Sequence, residues 1–136
     1  MEEKEFNLVE GNLPYQIHFT ALFVGDDLVI TVQGGEKPHV GAVAVSIPRP
    51  SLEDEAKTSS STSVFTMVGH KEDDLAKSLA GKISAELEKN VVLTTGVHVD
   101  NITASGIAEI EENCNKAVGK FLNFALQKNE GSNASS

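Results

Sequence analysis

The chain has no tryptophan and a single cysteine, Cys114, and aromatic residues make up only 5% of it. A lone thiol excludes an internal disulfide and a cysteine-rich zinc site. Basic residues are also scarce, with 11 Lys and Arg against 20 Asp and Glu for a net charge of −9. Proteins hold nucleic acid chiefly through Lys and Arg clusters on the phosphates, so the lack of any such cluster argues against that partner. No apolar run approaches the ~20 residues that span a bilayer, which argues against a membrane protein. The start, Met1 to Glu5, is acidic where a secretory signal is basic and then apolar, which points to the cytoplasm.

What is present is an ordinary globular composition, 40% hydrophobic and 23% charged. A chain of 136 residues suits one domain. Such a domain can withdraw roughly 70% of its unfolded surface from water. We expect one α+β domain over residues 1–128 and a disordered polar tail over 129–136.

Along the chain, Tyr15, Ile17, Phe19, Ala21 and Phe23 share a face, Gly25-Asp26-Asp27 turns, and Leu28, Ile30 and Val32 follow, which predicts a β-hairpin. Gly34 to Pro38 breaks the second strand, and Val40 to Ile47 is a third. Pro48-Arg49-Pro50-Ser51 lacks two amide donors, and Glu53 to Ser63 has no apolar period, so both together predict a long exposed loop. Long loops in compact domains are often functional, which draws attention to the two ends of this one.

Val64 to Val68 reads as a strand, followed by a helix whose stripe is Leu75, Leu79, Ile83 and Leu87 with Ala76 and Ala80. Glu72, Asp73 and Asp74 then fall in the first turn, where the macrodipole favours them, and Asn90 is the expected stop. Val91 to Val99 is the last strand, with Gly96 marking a bulge or a close approach. A second helix carries Ile107, Ile110, Cys114, Val118, Phe121, Leu122 and Ala125, with Thr103 or Ser105 as its N-cap. The order β-β-β-loop-β-α-β-α predicts an antiparallel or mixed sheet of five to six strands covered by two helices.

Chemistry centres on three of the four histidines. His18 shares the polar face of its strand with Gln16 and Thr20 and is expected at the surface. His39 follows Pro38 where a turn enters a strand, and an imidazole there can pack or bind. Gly69-His70-Lys71 forms a strand-to-helix turn whose free amides suit an anion, although the acidic residues that follow repel phosphate. His98 and Asp100 lie on one side and can hydrogen-bond, fixing the tautomer, with the Asn101 amide beside them.

There is no HExxH spacing, so separated histidines make a metal site only if the fold gathers them. Ser51 or Ser63 with His98 and Asp100 composes a triad on paper without a nucleophile-elbow motif. Cys114 sits on the apolar helix stripe and reads as core. Asn101-Ile102-Thr103 matches a glycosylation acceptor without a secretory context.

Four blocks carry a resemblance. They are Gly34-Gly35-Glu36-Lys37-Pro38-His39-Val40-Gly41-Ala42-Val43-Ala44, then Pro48-Arg49-Pro50-Ser51, then Ser63-Val64-Phe65-Thr66-Met67-Val68-Gly69-His70-Lys71-Glu72-Asp73, then Gly96-Val97-His98-Val99-Asp100-Asn101-Ile102. Together they resemble the LpdD-like prenylated-flavin chaperone family over about residues 14 to 125. The resemblance implies a small, non-catalytic partner of UbiD-like decarboxylases, gallate-type enzymes among them, that helps deliver or mature prenylated FMN. It also implies a fold like that of proteasome-assembly chaperones, and a homodimer.

The site expected on these blocks comprises His39, Arg49, Ser51, His70, Lys71, His98, Asp100 and Asn101, with Arg49 and Lys71 on the phosphate of prenylated FMN or FMN. No catalytic residue and no metal ligand is assigned. Two other readings stay open: an assembly adaptor that touches no cofactor, and a small metal-assisted enzyme using the same histidines.

Overall fold

The computed structural model describes residues 4–67 and 72–135, with side chains described as far as residue 128. It has six strands and two helices: β1 (Glu5–Glu10), β2 (Ile17–Val24), β3 (Asp27–Gly35), β4 (Ala42–Pro50), β5 (Thr58–Thr66), α1 (Asp73–Leu87), β6 (Val91–His98) and α2 (Ala104–Ser135). The strands form one sheet in the order β1-β2-β3-β6-β4-β5. Every neighbouring pair is antiparallel except β3 and β6, so the sheet is mixed.

Alternation decides which face is covered. Ile17, Phe19 and Ala21 on β2, Leu28, Ile30 and Val32 on β3, Ala42 and Ala44 on β4, and Val91 and Leu93 on β6 are all buried on one face. Both helices lie on that face, α1 against β4, β5 and β6, and α2 against β1, β2 and α1. Helix α1 buries Ala76, Leu79, Ala80, Ile83 and Leu87, the stripe its spacing predicts. The α2 stripe holds from Ile110 to Ala125, but Ile107, one turn earlier, is 47% exposed.

Thr103 caps α2, its hydroxyl accepting the Gly106 N–H at 3.1 Å. The α2 backbone runs on through Ser135, across the boundary expected at 128/129. Helix α1 stops earlier than Asn90: Glu88 takes a left-handed φ of 55° and its N–H bonds the Ser84 carbonyl.

The hairpin around Gly25 forms as predicted, with β2 and β3 paired from Ile17↔Gly34 to Val24↔Asp27. Two expectations are corrected. An additional edge strand, β1, pairs with β2, its Phe6 and Leu8 half-buried while Glu5 and Asn7 face solvent. The long loop shrinks to residues 51–57, because β4 runs on through Pro48, Arg49 and Pro50 opposite Ser60, Ser59 and Thr58. The Ser51 N–H donates to the Lys57 carbonyl at 2.8 Å, so odd-numbered amides in this stretch face β5. The nitrogens of Pro48 and Pro50 therefore face the other side, where pairing with β6 has ended at Ser46 and no donor is required.

Cys114 is fully buried, and burial pushes its thiol up to about 12, with the charges of Glu111 and Glu72 adding to the effect. We expect no fast reaction of the native protein with a thiol-directed dye at neutral pH, and one equivalent of reaction on unfolding in denaturant. Rapid labelling in native buffer contradicts this placement.

Candidate functional site

The loop from Glu36 to Gly41 leaves β3 at Gly35, where φ is +73°, and lies along the end of β6. Backbone bonds stitch it down: Glu36 N–H to the His98 carbonyl at 2.7 Å, His39 N–H to the Gly96 carbonyl at 3.3 Å, and Gly41 N–H to the Thr95 carbonyl at 2.7 Å. Two glycines permit the approach. A Cβ on Gly96 would overlap the His39 carbonyl oxygen, and one on Gly41 would overlap the Glu72 carboxylate. The close approach expected at Gly96 is the backbone of the His39 segment.

Glu72 joins α1 to this seam. It occupies the N-cap position of α1 but makes no side-chain cap, contrary to its expected place in the first helical turn. Its Oε1 instead accepts the Val97 N–H at 2.6 Å, and its Oε2 lies 3.2 Å from His39 Nε2. The other ring nitrogen, Nδ1, lies 3.0 Å from the Lys37 carbonyl oxygen. Both neighbours are acceptors, so whichever ring nitrogen carries a proton has a partner to donate to. Glu72 and His39 are 13% and 25% exposed at their side chains, which makes this the most enclosed side-chain contact of the cluster.

A second pair lies beside the first. His98 Nε2 is 2.9 Å from Asp100 Oδ1, Lys37 Nζ is 3.5 Å from the same oxygen, and the Asp100 N–H donates to Glu36 Oε1 at 2.9 Å. The hydrogen bond from His98, and then the charge of Lys37, hold the Asp100 carboxyl below the ordinary carboxylate range. Any stability that Asp100 contributes is therefore present above the unfolded carboxylate value and is lost as the pH falls through the lower folded one. The His39 and His98 rings meet edge to face at 6.4 Å, so the two pairs form one cluster. Asn101 follows in a left-handed turn with φ of 54° and is exposed.

The eight residues expected to form one site do not all meet. His39, His98, Asp100 and Asn101 gather at one end of the sheet. Arg49 and Ser51 lie at the far end of β4, roughly 24 Å away along seven residues of strand. There Arg49, the chain's sole arginine, donates through Nε to Ser61 Oγ at 2.8 Å and through Nη1 to the Pro50 carbonyl at 3.0 Å. His70 and Lys71 lie outside the described residues. His18 is exposed opposite Gln33, as its parity requires.

The cluster also includes Glu36, Lys37 and Glu72, which sequence reasoning passed over as turn or helix-start residues. Gly41 and Gly96 were the available signal, since paired glycines at strand ends permit backbones to touch. Three carboxylates, from Glu36, Glu72 and Asp100, stand against Lys37 and two imidazoles, an environment that repels a phosphate dianion and offers donors and acceptors to a neutral polar edge. Val40, 53% exposed, and Met67, 44% exposed with its N–H on the Gly41 carbonyl at 2.8 Å, add apolar surface alongside.

Among the described residues no three of His, Cys, Asp and Glu are placed to hold one metal ion. No helix among them is long and apolar enough to cross a membrane.

Comparison with known proteins places this geometry in a family. Protein LpdD of Lactiplantibacillus plantarum is 31% identical over 94 residues, 69% of this chain, and the chain spans 65% of that relative's length. A chain from the crystal structure of a chaperone complex for yeast 20S proteasome assembly is similar in fold, with a TM-score of 0.60 at 15% identity, covering 90% of this chain and 97% of that one. The family model described as a prenylated flavin chaperone LpdD-like domain matches residues 11–125, which include every described member of the cluster. The chain belongs to the LpdD-like prenylated flavin chaperone family.

Proposed function

We propose that this protein is a non-catalytic cytoplasmic chaperone that binds prenylated FMN, acts as a pair of identical copies and assists maturation of a UbiD-like decarboxylase. The observation that carries the proposal is the joining of the β3–β4 loop, the end of β6 and the start of α1 into one hydrogen-bonded cluster inside the family-matched region. The charge of that cluster determines which part of the cofactor it takes. Lys37, His98 and the Asn101 amide supply donors, and Glu36 and Asp100 supply acceptors, which suits the neutral pyrimidine edge of an isoalloxazine. The phosphate does not fit among three carboxylates, and Arg49 stands too far away to hold it there.

An anaerobic titration tests this with prenylated FMN, FMN and riboflavin in parallel. Because the cluster recognises the ring edge, riboflavin is expected to bind within about threefold of FMN, and His98→Ala to weaken prenylated FMN at least about tenfold, the loss of one hydrogen bond. No binding of any flavin, together with undiminished activation of the decarboxylase by His98→Ala, refutes the cofactor role and leaves an assembly adaptor. Binding that requires the phosphate and fails in Arg49→Ala moves the site to the other end of β4.

A further inference from the structure

We infer that the open edge of β5 is a docking strand, to which a partner protein adds an extended segment bearing a lysine or arginine. The inference rests on the decarboxylase-partner part of the proposed function and names the surface through which that partner is held. Strand β5 ends the sheet on one side, with β4 as its one neighbour. The Met67 N–H donates to the Gly41 carbonyl and the Ser51 N–H to the Lys57 carbonyl, each at 2.8 Å, so odd-numbered main-chain groups of β5 turn toward β4. The amides and carbonyls of Thr58, Ser60, Thr62, Val64 and Thr66 therefore point out of the sheet, and they bond no other element among the described residues.

Sheet edges exposed in this way ordinarily carry a guard in the form of charge, proline or a bulge. Strand β5 has none of them. All nine of its residues are uncharged, none is proline, and the register runs without interruption from Pro50↔Thr58 to Ala42↔Thr66. The opposite edge is a contrast, since β1 carries Glu5 and Glu10 and α2 lies against it. An incoming strand meets at β5 an unbroken row of free donors and acceptors, which is what adding a strand to a sheet requires.

The chemistry of the occupant follows from the side chains beside that edge. Even-numbered residues of β5 face α1, with Ser60 donating through Oγ to the Gly81 carbonyl at 3.0 Å. Between the start of β5 and the end of α1, a cleft of about 370 Å³ is lined by Lys57, Thr58, Ala85, Glu86 and Glu88. Glu88 accepts the Thr58 hydroxyl, which fixes one wall. A strand added at the edge continues the alternation of β5, so its residue beside Thr58 enters this cleft. Two carboxylates stand there against one ammonium, Glu53, Asp54 and Glu55 lie in the adjoining loop, and the whole chain carries −9, so a basic side chain fits. A second copy does not supply one, because pairing β5 with itself about Thr62 sets the uncharged Thr66 of the copy beside Thr58.

Amide hydrogen exchange resolved to single residues, on the full chain alone and with the UbiD-like decarboxylase, tests the surface. On binding, the outward amides of Ser60, Thr62 and Val64 are expected to slow at least about tenfold, and those of Ser59, Ser61 and Ser63, already bonded to β4, to change less. Ser60→Pro removes one outward donor and blocks the edge, in a sheet that already accepts Pro48 and Pro50 where their nitrogens face an unpaired side. It is expected to weaken the complex at least about tenfold, and the surface variant Glu86→Lys at least about fivefold, with the proposed flavin binding unchanged in both. A decarboxylase that does not associate with the chain overturns the partner proposal and this surface together. Association that leaves the β5 amides unprotected, or that neither variant weakens, overturns the surface alone. Protection of β5 that grows with the concentration of the chain by itself assigns the edge to a second copy and overturns the foreign strand.

Discussion

Gly96→Ala is expected to destabilise the protein by about 3 kcal/mol and to lower the melting temperature by roughly 10 °C. The added methyl would overlap the carbonyl oxygen of His39, and backbone cannot move aside as a flexible side chain can. Relief requires the loop from Glu36 to Gly41 to lift from β6, which breaks the bonds from His39 N–H to the Gly96 carbonyl and from Glu36 N–H to the His98 carbonyl. Once the loop lifts, His39 leaves Glu72, and the flavin binding proposed above should fall together with stability. A chemical denaturation curve measures the first effect and the anaerobic titration the second. Wild-type stability in Gly96→Ala contradicts the close approach itself.

Phe121→Ala should cost about 3–5 kcal/mol, the usual range for deleting a buried aromatic ring. Phe121 is fully buried, and its ring contacts Phe6 and Phe19 at centroid distances of 5.3 Å each and Phe23 at 6.1 Å. It thereby holds α2 on β1 and β2, and in a chain without tryptophan these rings, with Phe124, form an aromatic cluster in the core. The substitution leaves the His39–His98 cluster untouched, so the proposed flavin binding by the folded fraction should be unchanged. Denaturant midpoints for Phe121→Ala and Phe121→Leu separate lost volume from lost ring contacts. A cost under about 1 kcal/mol for the alanine variant is incompatible with the packing described.

Much of this fold was legible in the sequence because two periods were clean. Alternation at Ile17, Phe19 and Ala21 and the fourfold spacing of Leu75, Leu79 and Ile83 each reported a single covered face. The proline-bearing end of β4 was not legible, since proline argues against a strand unless the missing amide is known to face an unpaired side, and that depends on where β6 stops. Strand β1 was hidden for a similar reason: its Glu and Asn positions obey the alternation but resemble a solvated terminus until β2 is placed beside them.

In the candidate site, the sequence placed His39 beside a turn and His98 at a strand end, where the structure has them, and the His98–Asp100 hydrogen bond forms as expected. Glu72 escaped because an acid at a helix start has an ordinary explanation in the macrodipole, and only the fold shows its carboxylate turned away toward Val97 and His39. Arg49 joined the expected site through the block it belongs to and its suitability for a phosphate, and the length of β4 separates it from the histidine cluster.

The place of β6 between β3 and β4 has a consequence for synthesis. Strands β1 to β3 form one antiparallel meander and β4 and β5 a separate hairpin, and within the sheet β6 alone bridges them. A chain emerging from the ribosome therefore holds two unjoined pieces, with the inner edges of β3 and β4 unsatisfied, until residues 91–98 appear and close the seam between them.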